Sequence, residues 1–232
     1  MKAPIPTATS ERPAARAADD VAARLDLRIV LFTLIGGELA LAVIDDDGDV
    51  RLPQGAPAPF DALDREARRI LHEETGLTEQ YLEQLYTLGV EERGEWSIII
   101  AYLGLALTER ESPVVEGGEW RPATALPPMS PSDQMVVDYA LVRLRAKLGY
   151  TTIAFHLLPP TFTLRELQQV YESVLGHALD KRNFRRRVLA AGFLEETGDR
   201  RRDGSHRPAQ LYRFQAMHDP ETYLTPSWAR SE

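Results

Sequence analysis

The stretch Gly55–Leu77, GAPAPFDALDREARRILHEETGL, constrains this chain more than any other. Leu63, Ala67, Ile70 and Leu71 recur at helical spacing, which predicts a helix over Asp61–Thr75 with those four side chains facing a core. Asp61 stands where a carboxylate caps free N–H groups, and Gly76 where a left-handed residue ends a helix. At about 3.6 residues per turn, positions 66, 70, 73 and 74 lie near one another. Glu66, Glu73 and Glu74 therefore form an acidic face, with Ile70 set into it and Arg69 placed to pair with Glu73 at i+4.

The flanking sequence is mostly strand. Residues 26–35 (LDLRIVLFTL) and 38–44 (ELALAVI) are apolar and β-branched around Gly36-Gly37, a hairpin signal. Asp45-Asp46-Asp47-Gly48-Asp49 reads as a second turn and lacks the spacing of a calcium loop. Strands are predicted over 84–90 and 96–107, with a short segment at Trp120. Residues 132–148 predict an amphipathic helix carrying Met135, Val136, Tyr139, Leu141, Val142 and Leu148. The order strands, helix, strands, helix gives an α/β class.

Near Gly149 the chain changes character. Residues 151–158 lead to Pro159-Pro160 and read as a linker. Thr163 and Glu166 occupy capping-box positions ahead of a helix closed by Gly176. Asp180 caps a second helix, DKRNFRRRVLAA, closed by Gly192. A strand from Phe193-Leu194, a basic loop over 197–207 and a strand at Gln210–Phe214 complete a winged helix-turn-helix pattern over 159–217. The chain carries −8 overall, yet residues 181–213 hold ten Lys or Arg against four acids, so that window is +6 and the remainder −14. Lys181, Arg182, Arg185 and Arg186 form a cationic outer face over an apolar underside of Phe184, Val188 and Leu189. Such a helix is held in a domain by one side and enters a major groove with the other. Arg200, Arg201, Arg202, His206 and Arg207 supply a basic wing for phosphates or the minor groove. One short helix reads few base pairs, so a homodimer on a palindromic operator in duplex DNA is expected.

The 232 residues include no cysteine, which excludes disulfides, thiolate zinc sites and cysteine nucleophiles. No apolar run is long enough to cross a bilayer. Residues 1–25 are rich in Ala and Pro and lack the apolar core of a signal peptide. A disordered tail there, another at 218–232 and a cytoplasmic location are the expectations.

Gly55, Arg69, Leu71, Glu73, Glu74, Gly76 and Leu77 resemble the Nudix box, G-x5-E-x7-R-E-U-x-E-E-x-G-U with U aliphatic. The resemblance implies a Nudix α/β/α sandwich over 26–150. Asp61 stands for the first Glu of the box, and Ile70 for the Glu of the R-E pair. In hydrolytic members that Glu holds Mg2+ or takes a proton from the attacking water, and an aliphatic group does neither. Glu73 and Glu74 are left as ligands for any Mg2+ that still binds, Glu66 is a partial substitute for the missing carboxylate, and Ile70→Glu is expected to raise residual hydrolysis. Arg51, Gly55, Arg69, Glu73 and Glu74 are the candidate ligand-binding residues. Arg93 is a further phosphate contact, and Trp96 or Tyr102 a base-stacking surface.

FTLRELQQVYESVLG (162–176), LDKRNFRRRVL (179–189) and RPAQLYRF (207–214) resemble the C-terminal domain of the Nudix-related regulators of NAD metabolism, the NrtR group. That resemblance implies a repressor whose Nudix-like domain senses ADP-ribose or a related nucleotide without efficient hydrolysis. It places DNA contacts at Lys181, Arg182, Asn183, Arg185 and Arg186, with Arg201, Arg202 and Arg207 on the wing. Sister regulators of this architecture respond to sugars such as arabinose. The competing reading is a Mg2+-dependent hydrolase of nucleoside diphosphate derivatives.

Overall fold

The computed structural model describes residues 23–46, 48–79, 81–92, 94–107, 117–202 and 208–215. Almost all of the expected tails lies outside these residues, as do Asp47, Arg93, His206 and Arg207.

Strands β1 (Arg24–Ile35) and β2 (Glu38–Asp46) pair as a hairpin, with Gly36 and Gly37 both at positive φ. Two consecutive left-handed residues suit the tight turn whose twist matches the flanking strands. Strand β3 (Asp49–Arg51) continues from β2, and β4 (Gln54–Gly55) pairs with β1. Strands β5 (Tyr81–Glu92) and β6 (Glu95–Leu105) form a second hairpin, longer than the sequence predicts, and β6 runs parallel to β1. Strand β7 (Gly118–Pro122) joins β2. The main path of this mixed seven-stranded sheet is β3-β2-β1-β6-β5.

Strand β1 is apolar on both sides because helices cover both faces of the sheet. Leu27, Ile29, Ala42, Ile44, Ile100 and Tyr102 pack with Ala67, Ile70 and Leu71 of helix α1 (Leu63–Thr75). Val30, Phe32, Leu41, Val43, Ala101 and Leu103 pack with helix α2 (Pro131–Leu148). This is the Nudix α/β/α sandwich.

Two helix readings need correction. Helix α1 begins at Leu63 with Ala62 as its N-cap, and no side chain caps it. Asp61 instead accepts from the Ala62 N–H at 2.7 Å and pairs with Arg65 at 2.7 Å, so its carboxylate is spent one residue before the cap. Gly76 ends the helix as expected, at φ 67°. In α2 the core face is Val136, Val137, Ala140, Leu144 and Leu148, while Met135, Tyr139 and Val142 are 49, 44 and 54% exposed. The helix is apolar over much of its circumference, so periodicity alone does not select the inner face.

Residues 151–158, read as a linker, contain a 3-10 helix, Ile153–Leu157, with Ile153, Ala154 and Leu157 buried. Phe155 stacks on Phe214 at 4.5 Å and meets Phe162 and Phe193 edge-on or tilted. The segment thus packs into the second fold unit. There, helix α3 (Leu164–Leu175) carries the full Thr163–Glu166 capping box, and helix α4 (Lys181–Ala190) is capped by Asp180. Strands β8 (Leu194–Arg201) and β9 (Ala209–Phe214) form the wing hairpin, and Phe162 bridges to Tyr212. One cluster of buried apolar residues runs from the α2 face of the large sheet through the 3-10 helix to Phe162, Val170, Phe184 and Tyr212.

Candidate ligand cleft and nucleic-acid face

The box helix holds its charges against one another. Ile70 is 3% exposed within the cluster formed by Leu27, Ile29 and Ile44. It also lies against Gly55, where an added Cβ would sit 3.4 Å from Ile70 Cγ1. A carboxylate at 70 would therefore be buried in hydrocarbon, which reverses the expectation that Ile70→Glu raises hydrolysis. Glu66, read as its substitute, is also buried. It accepts from Arg69 Nη2 at 2.7 Å and from the Ala58 N–H at 2.6 Å. Arg69, then Ala58, hold its carboxyl below the usual carboxylate range. Arg69 also donates to Glu73 at 2.5 Å, and Arg51 donates to Glu74 at 2.5 Å. Glu73 and Glu74 thus face different arginines. Among the described residues no group of three or more His, Cys, Asp or Glu is placed to hold a metal ion. This donor set does not fit Mg2+.

A cleft of about 700 Å3 opens at the end of the sheet, by the start of α2. Its walls come from the start of β1 (Arg24, Asp26, Arg28), the β5–β6 turn (Glu92, Glu95), Arg51 of β3 and the start of α2 (Ser130, Asp133). At its base Arg28 is buried and bonds Asp26 at 3.2 Å, Asp133 at 2.9 Å, Ser132 at 2.6 Å and Glu92 at 2.5 Å. Burial alone would lower the guanidinium pKa, but Glu92, Asp133 and Asp26 together hold it above its ordinary value. Burial pushes the Asp133 carboxyl up, and Arg28 only partly pulls it back.

Of the five predicted ligand residues, Arg51 lines this cleft, while Gly55, Arg69, Glu73 and Glu74 do not. Arg51 joins the cleft to α1 through Glu74. Tyr102, read as a stacking surface, is fully buried and donates to Asp64 at 2.9 Å, so it is structural. Trp96 alternates away from cleft-lining Glu95 and Ser97 and lies across Gly89. Sequence reading missed Asp26, Arg28 and Asp133. Its available signal was a pair of charges at alternate positions in the apolar run LDLRIVLF, both on one side of a strand.

The second site is the outer face of α4. Phe184 and Val188 are buried, and Phe184 meets the Tyr171 ring at 5.4 Å. Lys181, Arg182, Arg185 and Arg186 are all exposed on the opposite side. Asn183 is half-buried, and its Oδ1 accepts from Arg186 Nη2 at 2.8 Å. Arg200 and Arg202 are exposed on the hairpin. The expected basic loop is shorter, because β8 extends to Arg201. Arg201 is half-buried and paired with Glu166, the acid of the capping box. Its placement makes it a tether between wing and α3, which corrects the expectation of an open DNA contact.

Glu166→Ala removes both cap and tether, with an expected loss of about 1–2 kcal/mol in urea denaturation. Burial raises the Glu166 carboxyl pKa, but Thr163 and Arg201 outweigh it, so the folded-state value is lowered. An acid with a lowered folded pKa stabilises above its unfolded value and loses that contribution as pH falls through the folded one. The gap between parent and variant should therefore narrow as pH falls below the ordinary Glu range at about 4. A gap of constant size down to pH 3 refutes the assignment.

The two sites and their scaffolds define a Nudix-type domain with a ligand-sized cleft, joined to a winged helix with a cationic recognition face. Residues 154–214 match the family model of the NrtR DNA-binding winged helix domain. The ADPR responsive transcriptional repressor NtrR of Acinetobacter baylyi is 37% identical over 155 residues, which span 64% of this chain and 62% of that protein. A crystal structure of Shewanella oneidensis NrtR superposes with a TM-score of 0.72 at 30% identity, covering 82% of this chain and 94% of that one. The same protein complexed with a 27mer DNA gives 0.74 at 29% identity, covering 82 and 93%. The chain belongs to the NrtR family.

Proposed function

We propose that this protein is a DNA-binding transcriptional repressor of NAD-metabolism genes, acting in the cytoplasm as a homodimer, whose Nudix domain binds ADP-ribose without cleaving it. The observation that carries the reading is the capped helix α4, with its apolar side buried and four cations facing solvent. The complex of the Shewanella relative with a 27mer DNA and the ADPR response in the name of the Acinetobacter relative support the two halves. A sensor rather than a hydrolase fits a box helix in which Ile70 is buried and Glu66, Glu73 and Glu74 are held by arginines.

Communication between the halves has a physical route. Strand β1 starts at the cleft and ends at Ile35, just before Gly37, whose carbonyl accepts from Ser173 of α3. Helix α2 starts at the cleft and, near its far end, Arg145 donates to the Val174 carbonyl of α3 at 2.9 Å. A ligand shifts operator affinity only if it binds two arrangements of these elements unequally. Fluorescence anisotropy with the duplex upstream of the chain's own gene tests the proposal. Binding should weaken steeply with salt and change by about tenfold on adding ADP-ribose. NAD and arabinose serve as comparison effectors. Absence of salt-dependent binding to that duplex and to others overturns the reading.

A further inference from the structure

Asp26 has one carboxylate oxygen with a partner and one without. The residue is 3% exposed and lines the cleft. Its Oδ2 accepts from Arg28 Nε at 3.2 Å. Its Oδ1 is buried with no hydrogen-bond partner among the described residues. A buried acceptor left unpaired is costly, so Asp26 Oδ1 calls for a donor that the described residues do not supply.

The surroundings restrict that group. Arg28 is shared by three carboxylates, those of Asp26, Glu92 and Asp133, so the base of the cleft carries excess negative charge. A phosphate or carboxylate is repelled there. A divalent cation needs several open oxygens, yet Glu92 and Asp133 are already engaged by Arg28, and Glu92 by Ser132 as well. An exocyclic amine brings two N–H donors to one open acceptor and leaves the second unpaired. A hydroxyl brings one donor.

Resting on the reading of the cleft as the nucleotide site, we infer that Asp26 Oδ1 accepts a hydrogen bond from a ribose hydroxyl of the effector. The residue orients the sugar inward and leaves the diphosphate at the Arg51 side of the cleft. It is a specificity residue for sugar over anion.

Asp26→Asn is a polarity inversion with little change in shape. Arg28 Nε demands the amide oxygen, which turns the amide NH2 into the cleft, where the hydroxyl must turn to accept and its charge-assisted bond to a carboxylate is lost. Calorimetric titration of the full chain with ADP-ribose should show binding weakened roughly 10- to 100-fold. Asp26→Ala should weaken ADP-ribose binding as well. Titrations with ADP and 3′-deoxy-ADP locate the sugar. If the terminal ribose is bound, ADP binds Asp26→Asn and parent alike. If the 3′-hydroxyl of the adenosine ribose is bound, Asp26→Asn weakens ADP, whereas 3′-deoxy-ADP binds both proteins alike. Unaltered ADP-ribose affinity in Asp26→Asn overturns the assignment, as does an equal loss for ADP-ribose, ADP, 3′-deoxy-ADP and 2′-deoxy-ADP, the last of which binds both proteins alike if the adenosine 2′-hydroxyl is bound. Failure of the parent protein to bind ADP-ribose overturns the effector reading itself. The ligand series on the parent keeps the test open even if a variant folds poorly: equal affinity there for ADP-ribose, ADP, 3′-deoxy-ADP and 2′-deoxy-ADP also overturns the assignment.

Discussion

Ile70→Glu is expected to destabilise the fold by about 3–5 kcal/mol and to restore no hydrolysis of ADP-ribose. Restoring the box residue by name does not restore its surroundings. Ile70 is 3% exposed, packed among Leu27, Ile29 and Ile44 and against Gly55. A carboxylate entering that cluster loses its water and needs a cation in return. Arg69, one residue away, already serves Glu66 and Glu73, and Arg51 serves Glu74. The control is Ile70→Val, which removes one methylene and should cost about 0.5–1.5 kcal/mol. Urea denaturation measures both variants, and phosphorus NMR with ADP-ribose and Mg2+ measures turnover. A Glu variant that unfolds at the parental midpoint, or one that turns over ADP-ribose, refutes this account of the helix.

That helix also shows what a sequence carries and what it omits. Spacing alone locates α1, its glycine stop and the oddity at 70, because these are local properties of a short segment. The fate of each charge is not local. Glu66 is eight residues from Ala58, whose N–H it accepts, and Arg51 is 23 residues from Glu74. The cleft is further from legible: Arg28 reaches Glu92 and Asp133, 64 and 105 residues away. Only the pairing of β1 with β6 and the packing of α2 bring those groups together. The winged helix was easier to read, since Thr163, Glu166, Asp180 and Gly176 are capping signals that act within a turn. Arg201 was misplaced for the same reason as the cleft, since its partner, Glu166, lies on another element, and Leu189, read as part of the α4 underside, is 47% exposed.

Replacing Lys181, Arg182, Arg185 and Arg186 together by Ala should lower operator affinity by about 100-fold or more. The protein should stay folded, because these side chains are exposed and Ala is a strong helix former. The buried Phe184 and Val188 that fix α4 are untouched, as is the Asp180 cap. Each lost phosphate contact should reduce the slope of log affinity against log salt by about 0.9. If two of the four contact phosphates, the slope falls by about 2 per protomer, while base contacts lower affinity without altering it. The two quantities therefore separate positioning residues from reading residues on the same helix. ADP-ribose binding is expected to be unchanged, since none of the four lines the cleft. Arg201→Ala provides the contrast: it removes the tether to Glu166 and should act mainly on stability, with little effect on the salt slope. Parental affinity and slope in the fourfold variant would remove α4 from the DNA interface, and the proposed repressor with it.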